Sequence, residues 1–417
     1  MKDMLGREEL LSIEDAGKKI LIAIDLVPPA EFLTETETSV NLVISREIVS
    51  PEDLPGFTRS TMDGYAVNST DTFGAKEGMP SYIRLKGEIN MGEKPAFKIT
   101  KGETARIATG GMLPQGADSV LMLEHTSEVN ENLIEVLKPV ATGDNTIQAG
   151  EDCKKGEIIL KKGHRIRPQD IGALSGIGVT RIWAYEKPKV AIIATGDEVV
   201  PASSSLKPGQ VRDINSYTLA SLIETNGGKA VKMGIFKDSY EGLKKVVEEA
   251  VMKNHITIIT GGSSVGTRDL TAKVINSIGK PGVLFHGISA KPGKPTIGAV
   301  INGKPVFGLP GHPAAVIVTF EIFIRPMLRL LSGETMKLQH MIKRTVKAKL
   351  SKNISSSTGR QDYIRVLLEE IDGELWAIPI LGKSGLITTL VKADGTIVIP
   401  TSQTGIEQGT EVEVELF

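Results

Sequence analysis

The chain contains few of the residues on which several classes of protein depend. Its 417 residues include one cysteine, Cys153, which excludes an intramolecular disulfide framework and a zinc site made of cysteines alone. Aromatic residues make up 4% of the sequence, which leaves little material for stacking nucleic-acid bases. The 49 basic residues are balanced by 50 acidic ones, so neither a nucleic-acid binder nor a polybasic membrane binder is expected. No apolar run approaches the roughly 18 residues of a membrane span, and the charged N-terminus lacks the apolar stretch of a secretory signal. We therefore expect a soluble cytoplasmic protein.

The apolar pattern changes along the chain, and the length predicts three or four domains at roughly 150 residues each. Residues 51–149 carry short apolar segments separated by Gly, Pro and Asn, which indicates a small β domain. Residues 188–333 alternate apolar runs with helical periodicity, as expected of a parallel α/β sheet. Residues 334–417 return to short strands with Gly-rich turns and predict a terminal β domain. Near the N-terminus, residues 40–49 have the pattern of a strand.

Within residues 188–333, three continuous apolar runs are each followed by a glycine-containing turn. The runs are 189–194, 256–260 and 305–308. Ligands of open parallel sheets bind at the carboxyl ends of the strands, where glycines let the backbone approach a phosphate closely. The second turn is the richest in glycine and serine, and its alternative interpretation is a tight turn that binds nothing; its candidate residues are Gly261, Gly262, Ser263, Ser264 and Gly266.

Two further groups of residues suggest ligands. Lys291 and Lys294 lie in a proline-stiffened turn, which favours either an oxyanion site or a solvated basic loop. Carboxylates near a phosphate site suggest Mg²⁺, which bridges carboxylate and phosphate oxygens, although helix caps and surface charges are the alternative. The carboxylates in or near these turns are Asp197, Glu198, Asp238 and Asp269.

Taken together, these motifs resemble the molybdopterin molybdenumtransferase family, which includes bacterial MoeA and the E domain of gephyrin. Any one motif is weakly specific, but their number and order make the match highly specific. They run through nearly the whole chain: Ser60-Thr-Met-Asp-Gly-Tyr-Ala-Val67, Arg106-Ile-Ala-Thr-Gly-Gly111, Pro114-Gln-Gly-Ala-Asp118, Gly150-Glu-Asp152, Ala194-Thr-Gly-Asp-Glu198, Asp213-Ile-Asn-Ser216, Thr260-Gly-Gly-Ser-Ser-Val-Gly266 with Asp269, Lys291-Pro-Gly-Lys-Pro295, Gly308-Leu-Pro-Gly-His-Pro313, Gly359-Arg-Gln-Asp-Tyr-Ile-Arg365 and Gly382-Lys-Ser-Gly385.

The resemblance implies a multidomain α/β plus β fold. A central, Rossmann-like molybdopterin-binding domain with a parallel α/β sheet would occupy 188–333, between a small N-terminal β domain (51–149) and a C-terminal β-barrel-like domain (334–417). Residues 1–50 and 150–187 would form an elongated linker and dimerisation domain of helices and strands. The implied activity is the insertion of molybdate into adenylylated molybdopterin with Mg²⁺-assisted release of AMP. The implied protein is a homodimer whose site lies between the α/β domain of one subunit and the N-terminal β domain of the other, with a transient contact to molybdopterin adenylyltransferase.

Site residues are carried over motif by motif. The resemblance assigns catalysis to Asp63, Asp152, Asp238 and Asp269, and metal binding to Glu198, Asp238 and Asp269. Molybdate would be held by Lys291, Lys294, Arg360 and Ser384, beside the turn that contains Pro310 and Pro313. Thr109 and the glycine-serine turn of 261–266 would bind the rest of the substrate.

Two positions depart from the family pattern. Ile147 stands where many relatives have an arginine, and Gly287 stands where some have a lysine. These departures leave open a tungstate-specific paralogue and a pterin-binding or scaffold protein without turnover. A third alternative, a molybdopterin adenylyltransferase, stays open because the fold of that enzyme resembles the α/β domain alone.

Overall fold

The computed structural model describes residues 10–261, 265–335 and 344–417, and gives the backbone alone for 265–269. The described residues 10–187 contain an N-terminal α-helix, a second α-helix near residue 170, and twelve strands. The elements are α1 (Ile13–Ala23), β1 (Glu31–Glu35), β2 (Ile48–Val49), β3 (Arg59–Ser60), β4 (Gly64–Val67), β5 (Ser81–Ile89), β6 (Glu103–Ile107), β7 (Ser119–Met122), β8 (Thr126–Asn130), β9 (Leu133–Val136), β10 (Thr146–Ile147), β11 (Ile158–Leu160), α2 (Pro168–Gly176) and β12 (Arg181–Tyr185).

The strands of this first part form one large sheet and three small ones. Six strands make a sheet in the order β7-β4-β6-β5-β9-β8, which contains the segment that leads from Asp63 into β4. Strand pairs β1–β12 and β2–β11 join the chain before this sheet to the chain after it. Because these pairs connect residues on both sides of the sheet in sequence, the six-stranded unit is an insertion between the two halves of the linking segment.

A helix and strand alternation begins at residue 189, as the apolar runs predict. The elements are β13 (Lys189–Thr195), β14 (Val199–Val200), β15 (Val211–Arg212), α3 (Asn215–Thr225), β16 (Lys229–Phe236), α4 (Tyr240–Lys253), β17 (Ile256–Gly261), α5 (Val265–Ile278), β18 (Pro281–His286), β19 (Ala290–Lys291), β20 (Ile297–Ile301), β21 (Lys304–Leu309), α6 (Pro313–Thr319), a π-helical segment (Phe320–Ile324) and α7 (Arg325–Leu331).

The central sheet has the order β16-β13-β17-β21-β20-β18. Its first four strands are parallel, and β20 and β18 extend one edge in antiparallel pairing. Strand β13 is buried on both faces: Ile192 packs with the helices on one side, and Ile193 packs with α4 on the other. A sheet covered on both faces has near-continuous apolar strands, which explains the pattern seen in the sequence.

The C-terminal part forms a closed barrel. Its elements are β22 (Thr345–Leu350), β23 (Ile354–Ser355), β24 (Gln361–Ile371), β25 (Glu374–Pro379), α8 (Thr388–Val391), β26 (Gly395–Ile399), β27 (Gly405–Ile406) and β28 (Glu411–Leu416). Strands run in the order β24-β25-β22-β28-β26, and β26 pairs back with β24 to close the ring. Strand β19 of the α/β part adds to the barrel through its pairing with β24.

The expected multidomain α/β plus β fold with a C-terminal barrel is confirmed, but one local expectation is wrong. The apolar pattern of residues 40–49 predicts a strand, and only Ile48–Val49 form one. Asn41 has a positive φ of 66°, and Val43 and Ile44 make isolated bridges rather than a ladder. The consecutive residues Leu42, Val43 and Ile44 are all buried, so the apolar run there belongs to an irregular buried segment. Among the described helices, none combines the length and the apolar character that crossing a membrane requires.

Candidate functional site

The carboxyl ends of the parallel strands open into a cavity of about 290 Å³, here called the strand-end cavity. Its wall is built from the end of β17, from the turns that follow β13 and β21, and from the start of α3. The parallel register explains this convergence, because Thr195 at the end of β13 pairs with Gly261 at the end of β17. Three residues predicted for the site lie together in this wall: Glu198, Gly261 and Pro313.

Gly261 lies at the floor of this cavity in a backbone conformation that residues with a side chain rarely adopt. Its φ is +136°, and a Cβ placed on it would lie 1.9 Å from the carbonyl oxygen of Thr195. The two strand ends can therefore approach this closely because position 261 has no side chain. Gly262, Ser263 and Ser264 lie outside the described residues. Gly266 and Asp269 belong to the first turns of α5, where the backbone alone is described, so the side chain of Asp269 lies outside the described part.

The start of α3 contributes polar groups that the sequence-based assignment did not include. Asn215 is 7% exposed, and its Nδ2 donates to Thr260 Oγ1 at 3.1 Å and to the carbonyl oxygen of Gly311 at 2.9 Å. These two bonds hold the start of α3 against the end of β17 and the turn after β21. Asp213 Oδ1 accepts the backbone N–H of Ser216 at 3.0 Å and so fixes the start of the helix. Both residues belong to the family motif Asp213-Ile-Asn-Ser216, but their spacing in the sequence does not indicate what their side chains do.

A second cavity, of about 760 Å³, lies between the α/β part and the barrel; we call it the cationic cavity. No Asp or Glu belongs to its described lining, which includes five Lys and Arg side chains. All four residues predicted to bind molybdate lie here with Pro310, although the barrel supplies two of them and the α/β part the others. The basic and predicted residues in the lining are Lys291, Lys294, Pro310, Arg360, Arg365, Lys383 and Ser384.

A buried carboxylate organises the cations of this cavity. Asp362 is fully buried, and its oxygens accept from Arg360 Nε at 2.8 Å and from Arg360 Nη2 at 3.3 Å. Its Oδ2 also lies 3.8 Å from the Nζ of Lys291, which is its register partner across the β19–β24 pair. Two hydrogen bonds between a guanidinium and a carboxylate fix the orientation of the arginine as well as its distance, so Asp362 holds Arg360 in one orientation at the cavity wall. The sequence-based assignment missed Asp362, although an aspartate inside a strand is unusual enough to be a signal.

The two cavities meet at the turn after β21. Gly311 and His312 line both of them, and Ser384 of the barrel approaches the imidazole of His312, with its Oγ 2.8 Å from Nδ1. The same serine accepts the backbone N–H of Ala314 on its carbonyl oxygen at 3.2 Å. The predicted oxyanion residues and the predicted strand-end residues are therefore neighbours.

Acidic side chains cluster beside the strand-end cavity. Burial raises the pKa of Asp238, and the nearby charges of Asp197 and Glu198 raise it further. A divalent cation would relieve such mutual repulsion between carboxylates. Within the described part of the chain, no group of three His, Cys, Asp or Glu side chains is close enough to hold a metal, and the third expected carboxylate, Asp269, falls outside that part.

Asp63 and Thr109 lie together in two loops beside the N-terminal sheet, just before β4 and just after β6. Asp63 Oδ1 accepts the backbone N–H of Thr109 at 2.7 Å and its hydroxyl at 3.0 Å. These bonds, the backbone one first, lower the pKa of the exposed Asp63 carboxylate, which keeps it ionised. Asp152 is exposed in a separate turn, where its backbone N–H donates to the carbonyl oxygen of Leu54 at 3.1 Å. None of these three residues belongs to the described lining of either cavity.

The two departures from the family pattern have local structural settings. Ile147 is the register partner of Arg59 in the β3–β10 pair, so an arginine side chain is present next to that position on the adjacent strand. Gly287 has a φ of +117°, and a Cβ on it would lie 2.7 Å from Leu10 Cδ2. A lysine at 287 would therefore need a different backbone here.

Comparison with known proteins agrees with this geometry. Residues 11–178 match the MoeA N-terminal region (domain I and II), residues 191–330 a probable molybdopterin binding domain, and residues 347–417 the MoeA C-terminal region (domain IV). The chain is 33% identical over 387 residues to the molybdopterin molybdenumtransferase of Bacillus subtilis, covering 91% of this chain and 88% of that protein. It is 31% identical to that of Staphylococcus aureus (strain COL), covering 91% and 90%.

Solved structures agree as well. The structure of the molybdopterin biosynthesis MoeA protein from Pyrococcus horikoshii superposes with a TM-score of 0.81 at 30% identity, covering 98% of this chain and all of that one. The family models together match most of the chain, in the same order as the sheet, the α/β part and the barrel. The chain thus belongs to the MoeA family of molybdopterin molybdenumtransferases, transferase enzymes of molybdenum cofactor biosynthesis.

Proposed function

We propose that this chain inserts molybdate into the dithiolene of adenylylated molybdopterin and releases AMP. The observation that carries the proposal is the adjacency of two unlike cavities, one rich in cations and one at the strand ends, which share Gly311 and His312. A reaction that joins an oxyanion to a nucleotide-linked pterin needs two such compartments side by side.

The chemistry of the cationic cavity suits a tetrahedral dianion. Molybdate presents only hydrogen-bond acceptors, and Lys291, Lys294 and Arg360 present only donors. Each charge-assisted hydrogen bond stabilises a bound oxyanion by about 1.5–3 kcal/mol, so three can offset much of the hydration that molybdate loses. Since Asp362 neutralises part of this charge from a buried position, the cavity keeps cations facing inward without their full mutual repulsion.

The strand-end cavity is the proposed seat of the nucleotide-pterin. Its glycine floor at Gly261 allows close approach of a phosphate to backbone, and Asn215 holds the surrounding turns in place. Mg²⁺ is proposed to bind through Asp238, Glu198 and Asp269 and, when bound, would neutralise charge on the phosphate link that is broken. The protein residues otherwise bind, orient and separate the two reactants.

Asp63, Thr109 and Asp152 are proposed to reach the site from a second copy of the chain. Their exposure, and their absence from the described lining of both cavities, support a site completed by a homodimer. The family resemblance also supports a cytoplasmic location and a transient contact with the adenylyltransferase that makes the substrate.

The direct test mixes the purified chain, adenylylated molybdopterin, Mg²⁺ and an oxyanion, and follows AMP by chromatography. We expect AMP release that depends on molybdate and is lost in Lys294→Ala, with sulfate as the oxyanion control. Activity with tungstate alone would indicate the tungstate-specific paralogue, and consumption of ATP with molybdopterin would indicate an adenylyltransferase. Tight binding of the substrate with no AMP release under any oxyanion would contradict the proposed reaction and support a pterin-binding or scaffold role.

A further inference from the structure

His312 occupies the boundary between the two cavities. Among the described residues, Gly311 and His312 are the two that line both, and of these only His312 has a side chain. The imidazole is exposed, and its Nδ1 lies 2.8 Å from Ser384 Oγ. Ser384 is one of the residues proposed to hold the oxyanion, so the partner of its hydroxyl matters.

The turn that carries Ser384 is docked on the residues next to His312. The carbonyl oxygen of Ser384 accepts the N–H of Ala314, and the Cα of Gly385 lies so near the imidazole that an added Cβ would contact Cδ2 at 3.7 Å. The barrel turn is thus held by one backbone bond and one side-chain bond, both to the segment 312–314. The serine hydroxyl is consequently fixed in place and not merely near the cavity.

The direction of the proton between His312 and Ser384 decides what Ser384 can do. A hydroxyl has one proton. If Ser384 gives it to Nδ1, the oxygen presents lone pairs to the cavity and repels an oxyanion. If His312 donates from Nδ1–H to Oγ, the hydroxyl proton is free to donate to the oxyanion. The surrounding cations mark this cavity as one that receives an anion, and an anion needs the serine hydroxyl as a donor.

We propose that His312 is a positioning residue for oxyanion binding: its Nδ1–H donates to Ser384 Oγ and turns the serine hydroxyl toward the oxyanion. The inference rests on the proposed function and adds to it a residue and a proton direction. It also links the two cavities. His312 lies in the turn that both cavities share, so a movement of His312 would move the hydroxyl donor of the cationic cavity.

Calorimetric titration of the full-length protein with molybdate tests this. Loss of a hydrogen bond to a charged group is expected to raise the dissociation constant of Ser384→Ala by about tenfold to a hundredfold. His312→Ala is expected to weaken binding by about tenfold, because the hydroxyl is no longer held as a donor. His312→Asn places an amide N–H close to the position of Nδ1 and should bind within about threefold of wild type.

The double variant His312→Ala/Ser384→Ala provides the second readout. If His312 acts through Ser384, the double variant should bind no more weakly than Ser384→Ala alone, which is the non-additivity expected of coupled residues. In steady-state assays, His312→Ala should raise the KM for molybdate more than it lowers kcat. A general structural role would instead weaken binding additively, and Asn would not rescue it.

If the hydrogen bond runs in the opposite direction, the effect of His312→Ala on molybdate affinity should have the opposite sign. If Ser384 donates to Nδ1, His312→Ala would release the hydroxyl and tighten molybdate binding. Tighter or unchanged binding by His312→Ala, in a chain whose wild type binds molybdate, would overturn the inference and leave the proposed function intact. No molybdate binding by the wild-type chain would overturn the proposed function and this inference together.

Discussion

The replacement of Gly261 by alanine is expected to destabilise the central sheet at the point where the strand-end cavity begins. An alanine Cβ would lie 1.9 Å from the carbonyl oxygen of Thr195 and 2.8 Å from its carbonyl carbon, both of which are backbone atoms of the neighbouring strand. The φ of +136° adds a second penalty, because residues with a side chain rarely adopt it. Backbone strain of about 1–3 kcal/mol and overpacking of about 1–3 kcal/mol give a loss of roughly 2–6 kcal/mol.

The matched control is Gly311→Ala in the same cavity wall. Among the described residues, its added Cβ would meet nothing closer than the Cα of Gly261 at 3.7 Å, which is ordinary van der Waals contact, and Gly311 has no positive φ. The free energy of unfolding of this variant is expected to change by less than about 1 kcal/mol. Both can be measured by urea unfolding followed by far-UV circular dichroism. If Gly261→Ala unfolds within about 1 kcal/mol of Gly311→Ala, the reasoning about the strand ends is refuted.

Three further predictions concern charge and assembly. Lys294→Ala should raise the KM for molybdate by about tenfold to a thousandfold without lowering the unfolding midpoint, and an unchanged KM would remove Lys294 from the oxyanion site. Asp63→Ala should lower kcat by a similar factor. If each site uses two chains, heterodimers of one Asp63→Ala chain with one Lys294→Ala chain contain one intact site and should recover about half of the wild-type activity. No recovery would contradict a shared site. The pKa of Asp238 is raised above 3.8 by burial and then by Asp197 and Glu198, so the folded chain holds this proton more tightly than the unfolded chain does and loses stability as the pH rises above 3.8. Asp238→Asn should therefore stabilise the metal-free protein at neutral pH but not below about pH 3.8. Thermal unfolding of the variant and the wild type across this pH range measures the difference. Equal stability of the two proteins at neutral pH would contradict the raised pKa of Asp238.

The sequence predicted the α/β elements well because burial on both faces leaves a plain signal. Strands such as Lys189–Thr195 and Ile256–Gly261 are continuous apolar runs, and each ends at a glycine turn. The two antiparallel strands were harder to predict, because Pro281–His286 begins with a proline and a glycine and Ile297–Ile301 contains a glycine. Residues 40–47 misled the prediction because a run of buried apolar residues, here Leu42, Val43 and Ile44, can lie in a segment whose backbone pairs only at isolated bridges.

The oxyanion residues could be named from the family motifs, whereas their spacing in the sequence does not predict that they meet. Lys291 and Arg360 come together because strand β19 leaves the α/β part and pairs with β24 of the barrel, a long-range contact that no local pattern encodes. His312 was missed for the same reason, since it acts through Ser384, which is distant in sequence. Asp362 was missed although its main partner, Arg360, is only two residues away. A contribution from a second chain, as proposed for Asp63, is likewise invisible to local pattern.

The most direct test of the adjoining cavities is a crystal structure of the protein soaked with molybdate, AMP and Mg²⁺, with molybdenum located by its anomalous scattering. We predict a molybdenum peak in the cationic cavity, with oxyanion oxygens about 2.7–2.9 Å from the nitrogens of Lys294 and Arg360, and AMP in the strand-end cavity across His312. Molybdenum bound elsewhere on the protein, or AMP outside the strand-end cavity, would contradict the account.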